Sequence, residues 1–303
     1  MIVHLVDGTY ELFRHHFAVP SHRTRDGREV GGTRGVLASM LSLLEAGATH
    51  VGIATDHVIE SFRNALLASY KSGEGVDPAI TSQFQLLEDT LAAAGFLVWP
   101  MDDYEADDAL GTAAVVAAAD RRVERVMVCS PDKDLAQCVT ADGRVVQYDR
   151  RKETIRDFAG VVERFGVEPG SIPDYLALVG DTADGIPGVP GWGSKTAAAV
   201  LARYRHLEEI PVKAGAWDVA VRGAPRLIQA LVEHLEEALL YRRLATIDTD
   251  AMAFDDVGEL AWTGPADGFE EALHAIDAEG SIARIERLAA VRVDTGSPRS
   301  LQG

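Results

Sequence analysis

The strongest constraint on the fold is a repeating pattern. Apolar, β-rich runs alternate with Ala/Leu-rich stretches, and carboxylates gather just past the ends of the runs. The runs lie at 2–6, 50–55, 96–99, 125–130 and 144–148, separated by helical stretches at 33–46, 79–94 and 105–119. Gly47 and Gly95 stand where C-terminal helix caps belong. This alternation predicts a parallel α/β sheet with helices on its faces over residues 1–165.

In such a sheet the carboxyl ends of the strands line one crevice, where ligands bind. Asp7 follows the first run and Asp56 the second; Glu105, Asp107 and Asp108 open an Ala-rich helix; Asp132 and Asp134 follow the fourth run; Asp181 and Asp184 lie in Gly180-Asp181-Thr182-Ala183-Asp184-Gly185. Singly, a strand-end Asp is commonly a turn former or helix cap. Together, nine carboxylates in one crevice repel unless cations sit among them. An oxygen-only set of this kind suits Mg²⁺ or Mn²⁺. No Ser/His/Asp or Cys/His arrangement competes as a covalent catalyst.

The chain has 303 residues and is 47% hydrophobic, enough for a sizeable core. No apolar run reaches membrane-spanning length, and the N-terminus lacks a signal-peptide pattern. Its two cysteines, Cys129 and Cys138, belong to no metal-spacing motif, so a reduced, cytoplasmic setting is expected. The net charge of −18 argues against nucleic-acid binding taken alone. Part of that charge is in the proposed metal crevice. Basic residues also cluster locally, at Arg14–Arg34, Arg121–Arg125, Arg150-Arg151-Lys152 and Lys195–Arg205, which predicts a restricted, salt-sensitive binding track.

From about residue 155 the pattern turns mainly helical, with helices expected at 195–204 and about 225–242, and disorder at 294–303. Residues 66–83 read as a mobile lid or arch beside the crevice. Gly191-Trp192-Gly193-Ser194-Lys195-Thr196 is no Walker loop, because Ser194 separates Gly193 from Lys195 and no strand precedes it. Closely spaced glycines before a helix fit a backbone clamp for phosphate instead.

These motifs together resemble the 5′-nuclease superfamily, which includes the 5′→3′ exonuclease domain of bacterial DNA polymerase I and the flap endonucleases. The resemblance covers residues 1 to about 260. It rests on Leu5-Val6-Asp7-Gly8, Asp56 with Ser61-Phe62-Arg63 and Tyr70-Lys71, Tyr104-Glu105-Ala106-Asp107-Asp108, Asp132-Lys133-Asp134, Gly180–Gly188, and Gly191-x-Gly193-x-Lys195-Thr196-Ala197, with Arg242-Arg243-Leu244-Ala245-Thr246 near its end. It implies a PIN-like α/β core over 1–165, a helix-two-turn-helix region over 166–260 and a C-terminal extension over 261–303.

The resemblance also implies a division of labour. Glu105, Asp107, Asp108 and Asp132 would hold one Mg²⁺ or Mn²⁺, and Asp134, Asp181 and Asp184 a second. Asp7 and Asp56 would support both, with Lys71 and Arg63 acting on the scissile phosphate. Gly191, Gly193, Ser194, Lys195 and Thr196 would grip duplex DNA, with a K⁺ ion there in relatives. The expected partner of this monomer is DNA with a 5′ end or 5′ flap. The chain departs from the pattern at Glu74, where an Arg is usual, and at Gly185, where an Asn is usual. A junction-binding protein with weak or lost catalysis is the alternative, and a PIN-type RNA nuclease a second one, which the clamp and the helical second half speak against, since a short PIN-type domain would lack both.

Overall fold

A computed structural model describes residues 1–252 and 254–296. The chain begins with strand β1 (Ile2–Asp7), helices α1 (Gly8–Ala18) and α2 (Gly31–Glu45), and strand β2 (His50–Asp56). Short helices α3 (Phe62–Leu66) and α4 (Pro78–Thr81) precede α5 (Phe84–Ala93), β3 (Leu97–Met101), α6 (Ala106–Ala119) and β4 (Arg125–Cys129). Strands β5 (Val145–Asp149) and β6 (Thr154–Arg156) complete the sheet. Helices α7 (Phe158–Phe165), α8 (Ile172–Val179), α9 (Ser194–Tyr204), α10 (Ala224–Glu233), α11 (Leu235–Ala245), α12 (Phe269–His274) and α13 (Ile282–Gly296) follow.

The sheet order is β3-β2-β1-β4-β5-β6. The five expected strands are parallel, whereas β6, which the sequence pattern did not disclose, runs antiparallel on the edge of β5. From the central pair β1 and β4 the chain proceeds outward in opposite directions. Their carboxyl ends therefore form a topological switch point, where neighbouring crossovers diverge and leave a crevice.

The strands bury both faces, which explains their continuous apolar runs. On one face, Val6, Ile53 and Met127 pack with Leu37, Met40 and Leu41 of α2 and Leu87 and Leu91 of α5. On the other, Leu5, Ala54 and Val128 meet the Ala-rich side of α6. Alanines and Gly111 let α6 approach closely: a Cβ on Gly111 would lie 2.3 Å from Ile247 Cγ2. Ile172, Leu176, Val200 and Leu201 help build a separate core within the helical second half.

Two expected helices are broken. The 79–94 stretch divides into α4 and α5 where the buried Gln83 turns inward, donating to the Ala79 carbonyl and accepting from the Thr33 N–H. The 225–242 stretch divides at His234, whose φ of −118° leaves the helical region. After Leu260 the chain returns to the first core. Ala261 bridges His50, the Trp262 indole donates to the Ala94 carbonyl at 2.9 Å, and Leu273, Ile276 and Ile285 join the cluster of α2 and α5. Of the stretch expected to be disordered, 294–296 continue α13 and 297–303 lie outside the described residues. Among the described residues no helix is long and apolar enough to cross a membrane.

Candidate metal centre

Asp7, the last residue of β1, caps α1 by accepting from the Tyr10 N–H at 2.8 Å. Its other oxygen accepts from Ser130 Oγ at 3.0 Å, which joins the ends of β1 and β4 across the switch point. Gly8 makes this turn possible: a Cβ there would lie 2.7 Å from Thr55 Cγ2 and 3.0 Å from the Ala54 carbonyl. Asp56, ending β2, accepts from the Ala106 N–H at 2.8 Å and so seats the first turn of α6. Glu105 caps α6, accepts from Ser61 Oγ at 2.8 Å and pairs with Lys71 Nζ at 2.7 Å.

The loop carrying Asp181 and Asp184 is closed by reciprocal backbone bonds between Asp181 and Ile186, at 2.9 and 2.8 Å. It rests against the 69–71 segment, where the Lys71 N–H donates to the Asp184 carbonyl. Gly185 has φ +72°, and a Cβ there would come within 2.1 Å of the Ser69 carbonyl oxygen. The glycine found in place of Asn is thus fitted to this close approach.

Carboxylate oxygens of Asp134, Asp181 and Asp184 lie within 4.8 Å of one another. Oδ1 of Asp134 is buried without a hydrogen-bond partner. Burial pushes Asp134 well above the usual carboxylate range, and the charges of Asp132, Asp184 and Asp181 add to the effect. Asp107 is raised by burial and by Asp132 and Asp7. Burial, reinforced by Asp56 and Asp132, lifts Asp7 to about 7. Asp184 rises to about 6 through burial, reinforced by Asp132 and Asp181. Asp56 is raised by burial despite Lys71. Glu105 is the exception: burial opposes its charge, but Lys71 and Arg63 hold it below the ordinary value. Hard oxygen donors, an orphaned buried oxygen and carboxylates that resist ionising together are fitted to a divalent cation.

A stability test follows. Raised carboxylates bind protons more tightly in the folded than in the unfolded chain, so folding loses free energy as pH rises from about 4 to 7. For Asp7 alone, moving from 3.8 to about 7, the loss is on the order of 4 kcal/mol. His4, held neutral down to about 4, works the other way below 6.5, but it is one group against several. In EDTA the melting temperature is therefore expected to fall between pH 5.5 and 8, and saturating Mg²⁺ to restore it at pH 8. Calorimetry showing a rise with pH in EDTA would remove the basis for this crevice electrostatics.

Two residues stand elsewhere than expected. Arg63, expected at the phosphate, is buried, its Nη1 and Nη2 bonded to Asp108 at 2.6 and 2.7 Å. Its Nε and Nη2 also donate to the carbonyls of Leu244 and Thr246, leaving little for a ligand. Asp108, expected to hold metal, has both oxygens on Arg63 and also accepts from the N–H groups of Glu105 and Asp248. One participant was missed: Lys133 Nζ pairs with Asp181, placing a second cation in the acid cluster. Its position between two clustered acids was the available signal.

Residues 66–83 are only partly lid-like. Tyr70 is buried and Lys71 reaches into the crevice, while Ser72, Glu74, Gly75, Asp77 and Pro78 are exposed. The Gly191–Thr196 segment forms a turn leading into α9. Buried Trp192 anchors it by donating to the Leu227 carbonyl at 3.1 Å, while Gly191, Gly193, Ser194 and Lys195 are exposed. Helix α9 packs against α8, the helix that leads into the 181–186 loop.

Residues 2–166 match the family model of the 5′-3′ exonuclease N-terminal resolvase-like domain, and residues 167–267 that of the 5′-3′ exonuclease C-terminal SAM fold. DNA polymerase I of Pseudomonas aeruginosa is 36% identical over 283 residues, which is 90% of this chain and 30% of that protein. The chain thus spans about a third or less of the polymerase relatives it matches. A 5′-3′ exonuclease of Aquifex aeolicus is 31% identical over 226 residues, 74% of this chain and 76% of that one. In structure, T5 D15 protein co-crystallised with metal ions superposes with a TM-score of 0.66 at 16% identity, over 98% of this chain and 100% of that one. The catalytic core of Rad2 in complex with DNA substrate gives 0.60 at 13% identity, over 94% and 91%. Both share the fold, and the matched domains and the Aquifex relative place the chain: it belongs to the 5′-3′ exonuclease family.

Proposed function

We propose that this chain hydrolyses DNA phosphodiester bonds near 5′ ends, as a 5′→3′ exonuclease and 5′-flap endonuclease using Mg²⁺ or Mn²⁺. The observation that carries the reading is the convergence of Asp134, Asp181 and Asp184 beside Lys71 at the switch point of the sheet. Those three aspartates would hold one ion, and Asp7, Asp107 and Asp132 a second. When bound, such ions polarise the phosphate and lower the pKa of a water so that it attacks near neutral pH.

The remaining residues position and orient. Glu105 holds the Lys71 ammonium in the crevice, where it can meet a phosphate oxygen and offset charge developing in the transition state. Asp56 fixes the start of α6, which carries Asp107. Arg63 and Asp108 act as a brace under the site. The exposed Gly193 and Ser194 of the Gly191–Thr196 turn offer backbone amides and the positive end of α9 to duplex phosphate, with Lys195 beside them. Its carbonyls are the place to look for K⁺. T5 D15, solved with DNA and metal ions, and Rad2, solved with DNA substrate, favour this reading. We place the activity in cytoplasmic replication or repair, carried out by a monomer.

The test is a 5′-labelled duplex carrying a nick with a short flap. Short labelled products are expected in Mg²⁺ and none in EDTA. Retained DNA binding without cleavage in either Mg²⁺ or Mn²⁺ would replace the nuclease reading with a junction-binding one.

A further inference from the structure

The crevice is flanked by unlike charge. Glu60, Glu74, Asp77, Asp102 and Asp103 are all exposed on the loops that follow β2 and β3 and on the 72–78 segment. From His57 to Tyr104 the chain has two Lys or Arg residues, Arg63 and Lys71. Arg63 is buried against Asp108, and Lys71 is committed to Glu105 inside the crevice. This stretch therefore presents no exposed Lys or Arg to solvent. Its parts form one rim: the His57 N–H donates to the Met101 carbonyl at 2.9 Å, the Phe62 N–H to the Asp103 carbonyl at 2.8 Å, and the Gly73 N–H to the Glu60 carboxylate at 2.9 Å. On the other side, beyond β4 and toward α9, Lys133 is paired with Asp181, and the exposed Arg151, Arg164 and Lys195 offer phosphate contacts.

A single strand carries one negative charge per nucleotide and gains affinity where cations replace its counterions. Duplex lying along the Lys133–Lys195 side gains that term. A long 5′ strand crossing the β2/β3 rim does not, and meets exposed carboxylates within a Debye length of about 8–10 Å. Resting on the nuclease reading above, we infer that the rim makes this enzyme selective for nicks, recessed ends and very short 5′ flaps. Long 5′ flaps are disfavoured by charge, not by shape. Glu74, Asp102 and Asp103 are the specificity-determining residues with no side-chain structural bond to lose.

The experiment compares four substrates on one duplex at low salt: a nick, a single-nucleotide flap, a flap of about 20 nucleotides (several Debye lengths) and the same long flap with an uncharged methylphosphonate backbone. The long charged flap is expected to show kcat/KM at least about tenfold below the nick, and the uncharged flap to recover most of it. Glu74→Lys/Asp102→Lys/Asp103→Lys is expected to raise long-flap cleavage while leaving the nick within about twofold. A long flap cut as fast as the nick, or an uncharged flap as slow as the charged one, overturns the inference and leaves the nuclease reading standing. No cleavage of any substrate would overturn both.

Discussion

Asp134→Asn is expected to lower kcat/KM on a 5′-flap substrate by about 10³-fold or more, through loss of a ligand charge worth several kcal/mol in the transition state. The same change should raise the melting temperature of the metal-free protein. The two effects share a cause. Asp134 is buried, one of its oxygens has no partner, and Asp132, Asp184 and Asp181 all oppose its ionisation. An amide of the same shape abolishes that repulsion and can donate to a neighbouring carboxylate, so the fold gains what the chemistry loses. DNA-junction affinity in Ca²⁺ should stay within about twofold, because the grip on duplex phosphate is assigned to the Gly191–Thr196 turn. Single-turnover cleavage, calorimetry in EDTA and a binding titration separate the three readouts. A variant cutting within tenfold of the parent would move the metal away from Asp134.

The largest stability effect belongs to Arg63. Arg63→Ala is expected to destabilise the protein by about 3–5 kcal/mol, since it leaves Asp108 charged, buried and unpaired. It also releases the Leu244 and Thr246 carbonyls that tie α11 to the crevice floor. A fall in melting temperature on the order of 10 °C should follow. Arg63→Met with Asp108→Leu should recover only part of it: no charge is left unpaired, but the Leu244 and Thr246 carbonyls and the Glu105 and Asp248 N–H groups still lose their partners. If Arg63→Ala melted normally but cut slowly, the guanidinium would belong to the phosphate after all, as the motif resemblance implied. Chemical denaturation alongside the cleavage assay distinguishes the two.

How far the sequence could be read depended on how local each signal was. Buried parallel strands write long apolar runs, so the five parallel strands were visible, and their ends located the acids of the crevice. Strand β6 has only Thr154-Ile155-Arg156, largely exposed on an edge, and no such run marks it. Helix α1 escaped because its buried side includes Glu11, which is paired with Arg14 and Arg150, so it lacks a plain apolar stripe. The break at Gln83 comes from a bond to Thr33, 50 residues away. The site followed the same rule. Spacing could place Asp107 and Asp108 in the first turn of α6. It could not say that a residue 45 positions earlier would occupy both oxygens of one of them. Lys133 reads as a spacer between two acids until the 181–186 loop is brought beside it.

The return of the last segment onto the first core bears on how this chain is made. Trp262, Leu273, Ile276, Ala278 and Ile285 complete the layer formed by α2 and α5, whose other buried members are all in place by residue 146. A ribosome delivering the chain from its N-terminus therefore exposes the unfinished flank of that layer until roughly α13 emerges, a window in which chaperone capture competes with self-association.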